Sequence, residues 1–378
     1  MDKKEEKALK RVKQEIEKID KNKNSVYFFV LDTKGNPNGN LQYIYDLAFI
    51  AKNEGYNVGM LYQSMDKKDE FVGVKDWLGE EYASIPHYDI AKNEVDVGPA
   101  DILFIPEIFA NVMNQTKKLP CKRIAIFQNY DYLVEQMPFA VQWGDFGIMN
   151  AITNSNANAE LLKDIFPYVK TKIINPFIGK MFGTTSEPKK MIVNIVANDQ
   201  EDINRIIKPF YWKYPSFKWV SFRDLRGFPK EQFAKALSEA AITVWIDRNS
   251  SFGYSALEAM KSGSIVIAKV PDDTLDWMKE EDEKSIARLG NCCIWFDDIH
   301  TVQKAIANVV RAWITDKVPA EIVKAEKETS EKYSFDTSKK EFIDYLSGVI
   351  NERKDEMNKL VEIVEKNGEQ KEHKENEK

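Results

Sequence analysis

The sequence predicts an α/β protein built from two doubly wound domains, each with a parallel sheet covered by helices on both faces. Short continuous apolar runs alternate with helical stretches along most of the chain, as expected for parallel strands that are buried on both faces. The alternation stops over residues 179–190, a stretch rich in Gly, Ser, Thr and Lys, and then restarts. The length of 378 residues, 43% of them hydrophobic, is sufficient for two cores.

Residues 1–24 are predicted to form a charged helical extension. This segment has nine basic and six acidic side chains. Leu9, Val12, Ile16 and Ile19 recur at intervals of three and four residues and form a thin apolar stripe. The stripe predicts a helix that lies on the body of the protein, and the segment lacks the aromatic anchors of a membrane-surface helix.

Residues 25–178 are predicted to form the first domain. Its strands are the apolar runs at 25–32, 57–63, 101–107, 123–129 and 147–154. A glycine-containing loop separates the first run from a helix, as in other domains with alternating strands and helices.

Residues 179–190 are predicted to be a linker, and residues 191–345 the second domain. Its predicted strands cover 191–197, 217–222, 241–247, 264–270 and 292–298, with helices at 202–212, 230–240 and 254–261. A C-terminal helix is predicted over 346–366 and a disordered polar tail over 367–378. The terminal helices can pair with each other or with a second subunit, so a homo-oligomer stays an open alternative.

Charge and cysteine content restrict the partners and the compartment. The chain has 54 Lys and Arg against 60 Asp and Glu, a net charge of −6, which gives no overall positive field for a nucleic-acid backbone. Cys121, Cys292 and Cys293 cannot form a disulfide framework and lack zinc-site spacing. Without an apolar stretch of ~20 residues or a signal peptide, we expect a cytoplasmic protein, with a peripheral position at the membrane left open.

The segment from Asn249 to Ala268 carries the strongest functional signal. An apolar strand ends at Asp247, and a short Ser/Gly loop leads into a helix at Tyr254. Gly253 would let a ligand approach the backbone, and the first helical amides would attract an anionic diphosphate. Glu258, one turn later, could accept hydrogen bonds from ribose hydroxyls. The alternative is a tight turn followed by an exposed helical carboxylate.

Residues 252–260 (FGYSALEAM), followed by Ser262-Gly263 and residues 266–268 (VIA), resemble the nucleotide-sugar signature of GT-B fold glycosyltransferases. More narrowly, they resemble the group-1, family 4-like retaining branch. The resemblance implies two Rossmann-like domains facing across a cleft, with a nucleoside-diphosphate-sugar donor bound by the second domain and an acceptor by the first. It also implies retention of the anomeric configuration. The predicted donor-binding residues are Arg223, Arg226, Arg248, Ser250, Ser251, Phe252, Gly253, Tyr254, Ser255 and Glu258.

Two departures from that family bear on activity. Ser250 stands where the family has the first of two motif glutamates, and no Arg…Lys pair follows the strand that ends at Ala197. A leaving diphosphate needs nearby positive charge. Arg248 is the favoured substitute, and Arg223 and Arg226 also flank strand ends. These departures favour an alternative function, a catalytically weak or inactive GT-B-like binding or assembly protein.

The acceptor side is predicted from strand ends in the first domain. The predicted acceptor-side residues are Gly35, Asn38, Gly39, Asn129 and Tyr130. Asp131 is a candidate catalytic base, and His87 is a second catalytic candidate. The acceptor would be a glycan, a lipid-linked molecule or another molecule. The net charge of the chain disfavours a modified nucleic-acid base as the acceptor. Because the sequence has no Asp-x-Asp pair and no Walker loop, we expect no metal and no other cofactor.

Overall fold

The computed structural model describes residues 3–20, 23–32, 38–63, 71–92, 94–248, 250, 252–269, 275–279, 294–296, 299–318 and 320–376. The described residues divide into two compact units. Unit 1 comprises Met1–Thr153, Ala159–Ile174 and Lys339–Lys378, and unit 2 comprises Asn154–Asn158 and Asn175–Ser338. Among the described strands, all pairs in both units are parallel.

The first part of the chain builds a seven-stranded sheet with the order β3-β2-β1-β4-β5-β6-β7. The strands are β1 (Ser25–Val30), β2 (Asn57–Tyr62), β3 (His87–Asp89), β4 (Ile102–Pro106), β5 (Lys122–Phe127), β6 (Asn150–Thr153) and β7 (Lys170–Ile173). The helices are α1 (Lys3–Asp20), α2 (Gly39–Asn53), α3 (Phe71–Leu78), α4 (Glu80–Ala83), α5 (Ala110–Gln115), α6 (Tyr130–Gln136) and α7 (Asn156–Ile165).

The second part builds a five-stranded sheet with the order β12-β11-β10-β8-β9. Its strands are β8 (Lys190–Ala197), β9 (Ser221–Asp224), β10 (Ala240–Ile246), β11 (Ile265–Lys269) and β12 (Ile294–Phe296). Its helices are α8 (Gln200–Lys213), α9 (Lys230–Glu239), α10 (Tyr254–Lys261), α11 (Asp276–Lys279), α12 (Val302–Ile314) and α13 (Ala320–Lys332). The last helix, α14 (Phe335–Asn376), returns to unit 1.

Packing on both faces explains why the strands are continuous apolar runs. Neighbouring residues of β1 face opposite sides of the sheet. On one side, Phe28 stacks on Phe104 of β4, with ring centroids 4.8 Å apart, and also contacts Phe342 of α14. On the other side, Phe29 meets Phe109 edge-on at 4.7 Å. A polar residue in this strand would therefore be buried on either face.

Each sheet has one position where the direction of winding reverses. In unit 1 the chain passes from β1 to β2 on one side and returns to β4 on the other. In unit 2 it passes from β8 to β9 and returns to β10. Ligands of open α/β sheets bind outside the carboxyl ends of the strands at such switch points. The topology thus directs attention to the residues that follow β1 and β4, and those that follow β8 and β10.

The two ends of the chain both pack on unit 1. In α1, Ile19 and Glu15 are buried, so this helix lies on the body of the protein as its apolar stripe predicts. Lys13 Nζ of α1 donates to Glu365 Oε1 of α14 at 2.6 Å. No helix among the described residues combines the length and apolar character needed to cross a bilayer.

Three predicted boundaries are wrong. The helix predicted over 346–366 begins at Phe335 and continues to Asn376, through most of the predicted disordered tail. The predicted domain end at residue 345 lies inside this helix, because Phe342 is buried against the strands of unit 1. The boundary predicted after residue 178 falls inside unit 2, where the Ile178 amide donates to the Tyr333 carbonyl at 3.0 Å.

Three strands also differ from prediction. The strand predicted at 217–222 is found at Ser221–Asp224, because the preceding residues form a 3-10 turn (Pro215–Phe217) whose phenylalanine enters the core of unit 2. The short strands β3 and β7 are absent from the predicted set, and pairing with β2 and with β6 places them in the sheet.

Candidate functional site

The loop between β10 and α10 lies at the switch point of unit 2. Gly253 precedes α10 with φ +80°, in the left-handed region that glycine tolerates best. Its amide donates to Ser250 Oγ at 2.9 Å. A Cβ on Gly253 would lie 2.8 Å from Leu275 Cδ1 and 3.1 Å from Trp277 Cζ2. Protein side chains therefore fill the space where a Cβ would point, and approach of a ligand to the Gly253 backbone from another side stays a prediction.

The aromatic residues of the signature hold the loop in place. The Phe252 carbonyl accepts a hydrogen bond from Trp277 Nε1 at 2.7 Å. The Phe252 ring packs edge-on against Tyr254 and Tyr333, with centroids 4.9 and 5.0 Å away. Both signature side chains are buried, so a ligand would meet the backbone of this loop and the half-buried Ser255. Ser251 lies outside the described residues.

Glu258 is a buried, ion-paired carboxylate, so its interpretation as an exposed helical residue is wrong. Lys230 Nζ of α9 lies 2.6 Å from Glu258 Oε1 and 5.1 Å from the centroid of the Phe182 ring. The second oxygen, Oε2, is buried and accepts no hydrogen bond from any residue that the structure describes. Burying a polar oxygen costs free energy unless the oxygen accepts a hydrogen bond. Glu258 can therefore accept one further donor, such as a hydroxyl group.

The three predicted arginine clamps are each paired with a carboxylate. Arg248, just after β10, reaches Asp202 of α8 with both N···O distances at 3.1 Å, so this pair lies at the switch point. Arg226 donates to Asp224 at 2.6 Å and thereby lowers the pKa of that carboxyl group. It also contacts Gln200 after β8, so it shares the carboxyl edge with Arg248.

Arg223 is not part of this group. Its Nη2 lies 3.1 Å from Glu239 Oε2, and Glu239 is the last residue of α9 before β10 begins. The side chain is therefore drawn toward the amino end of β10, away from the carboxyl edge where Arg226 and Arg248 lie.

Glu107 is a residue of the first unit that the sequence interpretation missed. It follows β4 at the switch point and is fully buried. Its Oε1 accepts the amides of Gln128 at 3.0 Å and Asn129 at 2.8 Å, while its buried Oε2 accepts no hydrogen bond from the described residues. Burial raises the pKa of Glu107 to about 7. An acidic residue directly after a buried strand was the signal that could have identified it.

The predicted acceptor-side loops lie together around Glu107. Asn129 Oδ1 caps α6 by accepting the Asp131 amide at 2.8 Å, and Asn38 Oδ1 caps α2 by accepting the Leu41 amide at 3.1 Å. Gln128 Nε2 donates to the Asn40 carbonyl at 3.0 Å and so joins the two loops.

The other acceptor-side predictions have varied positions. Tyr130 and Asp131 are exposed on the first turn of α6. The role of Asp131 as the catalytic base stays a prediction. Gly39 is the first residue of α2, and Gly35 lies outside the described residues.

His87 lies apart from this group. It begins β3, which β2 and β1 separate from β4 in the sheet. Its Nε2 lies 2.9 Å from the Tyr45 hydroxyl, which in turn contacts the Tyr62 hydroxyl. Burial lowers the pKa of His87 to about 4, so the ring is neutral at physiological pH. In the described part of the chain, no cluster of three or more His, Cys, Asp or Glu side chains could hold a metal ion.

Comparison with known proteins adds one relative in sequence. No family model matches the chain. An alpha-1,6-glucosyltransferase of Actinobacillus pleuropneumoniae serotype 7 (strain AP76) is 26% identical over 212 residues, which cover 50% of this chain and 62% of that enzyme. The chain therefore matches less than two thirds of the length of this relative.

Solved structures resemble nearly the whole chain. Sucrose-phosphate synthase from Thermosynechococcus elongatus matches with a TM-score of 0.59 at 11% identity, covering 87% of this chain and 99% of that one. Anabaena HepE, solved in complex with UDP-glucose, matches with a TM-score of 0.59 at 14% identity, covering 86% and 99%. The chain has the GT-B fold. The predicted GT-B architecture is thus confirmed, with two parallel α/β sheets as its framework.

Proposed function

We propose that the chain is a glycosyltransferase that takes a nucleoside-diphosphate sugar, UDP-glucose in the first instance, as its donor. The choice of donor rests on the similarity to an alpha-1,6-glucosyltransferase and on the UDP-glucose bound to HepE. The acceptor would be a glycan, a lipid-linked or another hydroxyl-bearing molecule. Transfer would proceed with retention of configuration and without a metal ion.

The observation that carries the proposal is the open oxygen of Glu258 beside Lys230. Glu258 lies one turn into α10, and the amides at the start of this helix lie at the positive end of its dipole. A diphosphate at these amides would be stabilised by the helix dipole. A ribose hydroxyl of the same nucleotide would donate to Glu258 Oε2. Lys230 Nζ, 2.6 Å from Oε1, holds one side of the carboxylate and leaves Oε2 as the oxygen that would accept this bond.

Transfer requires charge stabilisation on the donor side and a base on the acceptor side. The acceptor oxygen forms a bond to the anomeric carbon, and the bond from that carbon to the diphosphate oxygen breaks with its electron pair on the phosphate. Arg248 is half exposed and could exchange Asp202 for a phosphate oxygen. The acceptor proton would pass to a base, for which Asp131 is the predicted residue.

Replacing Glu258 tests the donor site. We expect Glu258→Gln and Glu258→Ala to weaken binding of UDP and UDP-glucose by about tenfold or more, because a hydrogen bond to a charged group is lost. The measurement is isothermal titration calorimetry, followed by an assay of sugar transfer and UDP-glucose hydrolysis. The configuration of the product, read by NMR, reports on retention.

A matched control separates this effect from general destabilisation. Glu326 of α13 is also a buried carboxylate of unit 2, and it accepts the Val266 amide at 2.9 Å. Glu326→Gln should leave the affinity for UDP unchanged. Equal dissociation constants for the wild type and a folded Glu258→Gln variant would show that Glu258 is not in the donor site.

A catalytically weak or inactive binding protein is the second candidate. The pairing of Arg223, Arg226 and Arg248 with carboxylates favours it, because each pair must open before that arginine can meet a phosphate. Donor binding with slow hydrolysis would support the enzyme. Failure to bind any nucleotide or nucleotide sugar would support the binding or assembly role.

A further inference from the structure

Three large apolar side chains are exposed at one edge of unit 2. Trp212, near the end of α8, is 76% exposed, and Trp219, just before β9, is 51% exposed. Ile314, the last residue of α12, is 55% exposed and lies one turn beyond Arg311 on that helix. Exposed apolar clusters with a charged rim commonly mark interaction surfaces. We refer to these residues and the cations around them as the tryptophan surface.

Contacts within unit 2 tie together the elements that carry these side chains. The Tyr211 hydroxyl donates to the Val220 carbonyl at 2.7 Å and so ties the last turn of α8 to the residue after Trp219. The Trp219 ring meets Phe217 edge-on at 6.3 Å. Arg311 of α12 lies over the same Phe217 ring, with its Cζ atom 5.5 Å from the centroid. The two helices and the turn thus share one packed aromatic base.

The tryptophan surface has the opposite charge to the whole chain. Residues 203–223 contain five cationic side chains and no acidic one, whereas the chain has a net charge of −6. Two of the five, Arg205 and Arg223, are in ion pairs with Glu201 and Glu239. The exposed cations around the tryptophans are Lys208, Lys213, Lys218 and Arg311. After α12, exposed Asp316 and Lys317 add one charge of each sign.

We propose that the tryptophan surface docks the protein on an anionic lipid bilayer. Tryptophan prefers the boundary between lipid head groups and acyl chains, and adjacent lysines and arginines are attracted to anionic lipids. Ile314 enters the same apolar layer as the indole rings. A single-stranded nucleic acid would instead stack its bases on the tryptophans, and the test below distinguishes this outcome.

The position of the surface leaves the candidate donor site open. α8 begins after the carboxyl end of β8 and ends before the amino end of β9, so Trp212 lies at the amino edge of the sheet. Gly253 and Glu258 follow the carboxyl end of β10, at the opposite edge. A bilayer at the amino edge therefore does not cover them. This inference stands whether or not the protein transfers sugars.

The test uses the full chain and vesicles of phosphatidylcholine with and without phosphatidylserine. We expect co-sedimentation only with the anionic vesicles, and quenching of tryptophan fluorescence by brominated lipid. Trp212→Ala combined with Trp219→Ala should reduce vesicle affinity, and Lys213→Glu combined with Lys218→Glu should reduce it by about tenfold or more, given the contribution of each basic residue at an anionic surface. Circular dichroism confirms that each variant is folded.

The matched control combines Phe139→Ala and Lys235→Glu, which remove an exposed aromatic and an exposed lysine elsewhere on the chain. This control should bind vesicles like the wild type. Equal binding by the wild type and the tryptophan-surface variants would overturn the proposal, as would failure of the wild type to bind anionic vesicles. Tight binding of an oligouridine probe that depends on the same tryptophans, without vesicle binding, would assign the surface to nucleic acid instead.

Discussion

Glu107 links the geometry of the first unit to the pH dependence of its stability. Its pKa in the folded protein is about 7, above its ordinary value of 4.5, because burial disfavours the charged form. Between these two pH values the folded state binds more protons than the unfolded state. Stability contributed by the neutral carboxyl group is therefore present below pH 4.5 and is lost as the pH rises through 7.

Glu107→Gln should remove this loss of stability at higher pH. The amide oxygen of glutamine can still accept the Gln128 and Asn129 amides, and it cannot ionise. We expect the variant to gain up to about 3 kcal/mol in unfolding free energy relative to the wild type between pH 4.5 and pH 8. Urea unfolding at several pH values measures this difference, with Glu135→Gln as the surface control. Parallel stability curves for wild type and Glu107→Gln would contradict the shifted pKa.

At the scale of the element, the sequence is most informative where local chemistry decides the structure. The bounds of α10, residues 254–261, are predicted correctly because Gly253 ends the loop and an apolar helical pattern follows. β9 is displaced from its predicted position because Phe217 is apolar like a strand residue but is buried by a 3-10 turn. Local pattern cannot distinguish these two ways of burying an aromatic ring.

The site was harder to predict than the fold, because its partners come from distant parts of the chain. The sequence indicated Glu258 and Arg248, but it did not reveal that Lys230 and Asp202 neutralise them. Burial of Glu107 likewise depends on packing of loops from three strands. Continuous apolar runs identify most of the strands. Tertiary packing decides the order in which the strands pair, and that order brings these side chains together.

Gly253 offers a test of how the β10–α10 loop is held. Gly253 and Gly227 both have positive φ, +80° and +72°, so alanine at either position costs about 1–2 kcal/mol of backbone strain. A Cβ at Gly227 meets nothing within 4 Å, whereas at Gly253 it would meet Leu275 at 2.8 Å. We therefore expect Gly253→Ala to lose about 1–3 kcal/mol more stability than Gly227→Ala. Thermal unfolding compares the two, and equal losses would mean that Leu275 and Trp277 move aside freely.

At the scale of the whole molecule, the chain crosses between its two units more than once. Residues 154–158 belong to unit 2, although the residues on both sides of them belong to unit 1. After unit 2 is complete, α14 returns to unit 1 and its Arg353 donates to the Pro99 carbonyl at 2.9 Å. Unit 1 is therefore built from both ends of the sequence. Its complete core therefore includes residues that follow the whole of unit 2.

Phe342 is the residue of α14 whose loss should show this dependence. It is fully buried against Phe28 and Phe104. We expect Phe342→Ala to destabilise unit 1 by about 3–5 kcal/mol, the usual cost of deleting a buried aromatic ring. Hydrogen exchange followed by mass spectrometry measures the stability of each unit separately. We expect faster exchange in β1 and β4 and unchanged exchange in β10.

Leu360→Ala provides the control, because this side chain of the same helix is 51% exposed and its removal creates no cavity. Exchange in β1 should then stay as in the wild type. If Phe342→Ala accelerated exchange equally in β1 and β10, the two units would unfold as one cooperative body, and the return of α14 would stabilise the whole molecule. If it accelerated neither, α14 would contribute little to the core of unit 1, and its burial there would need another explanation.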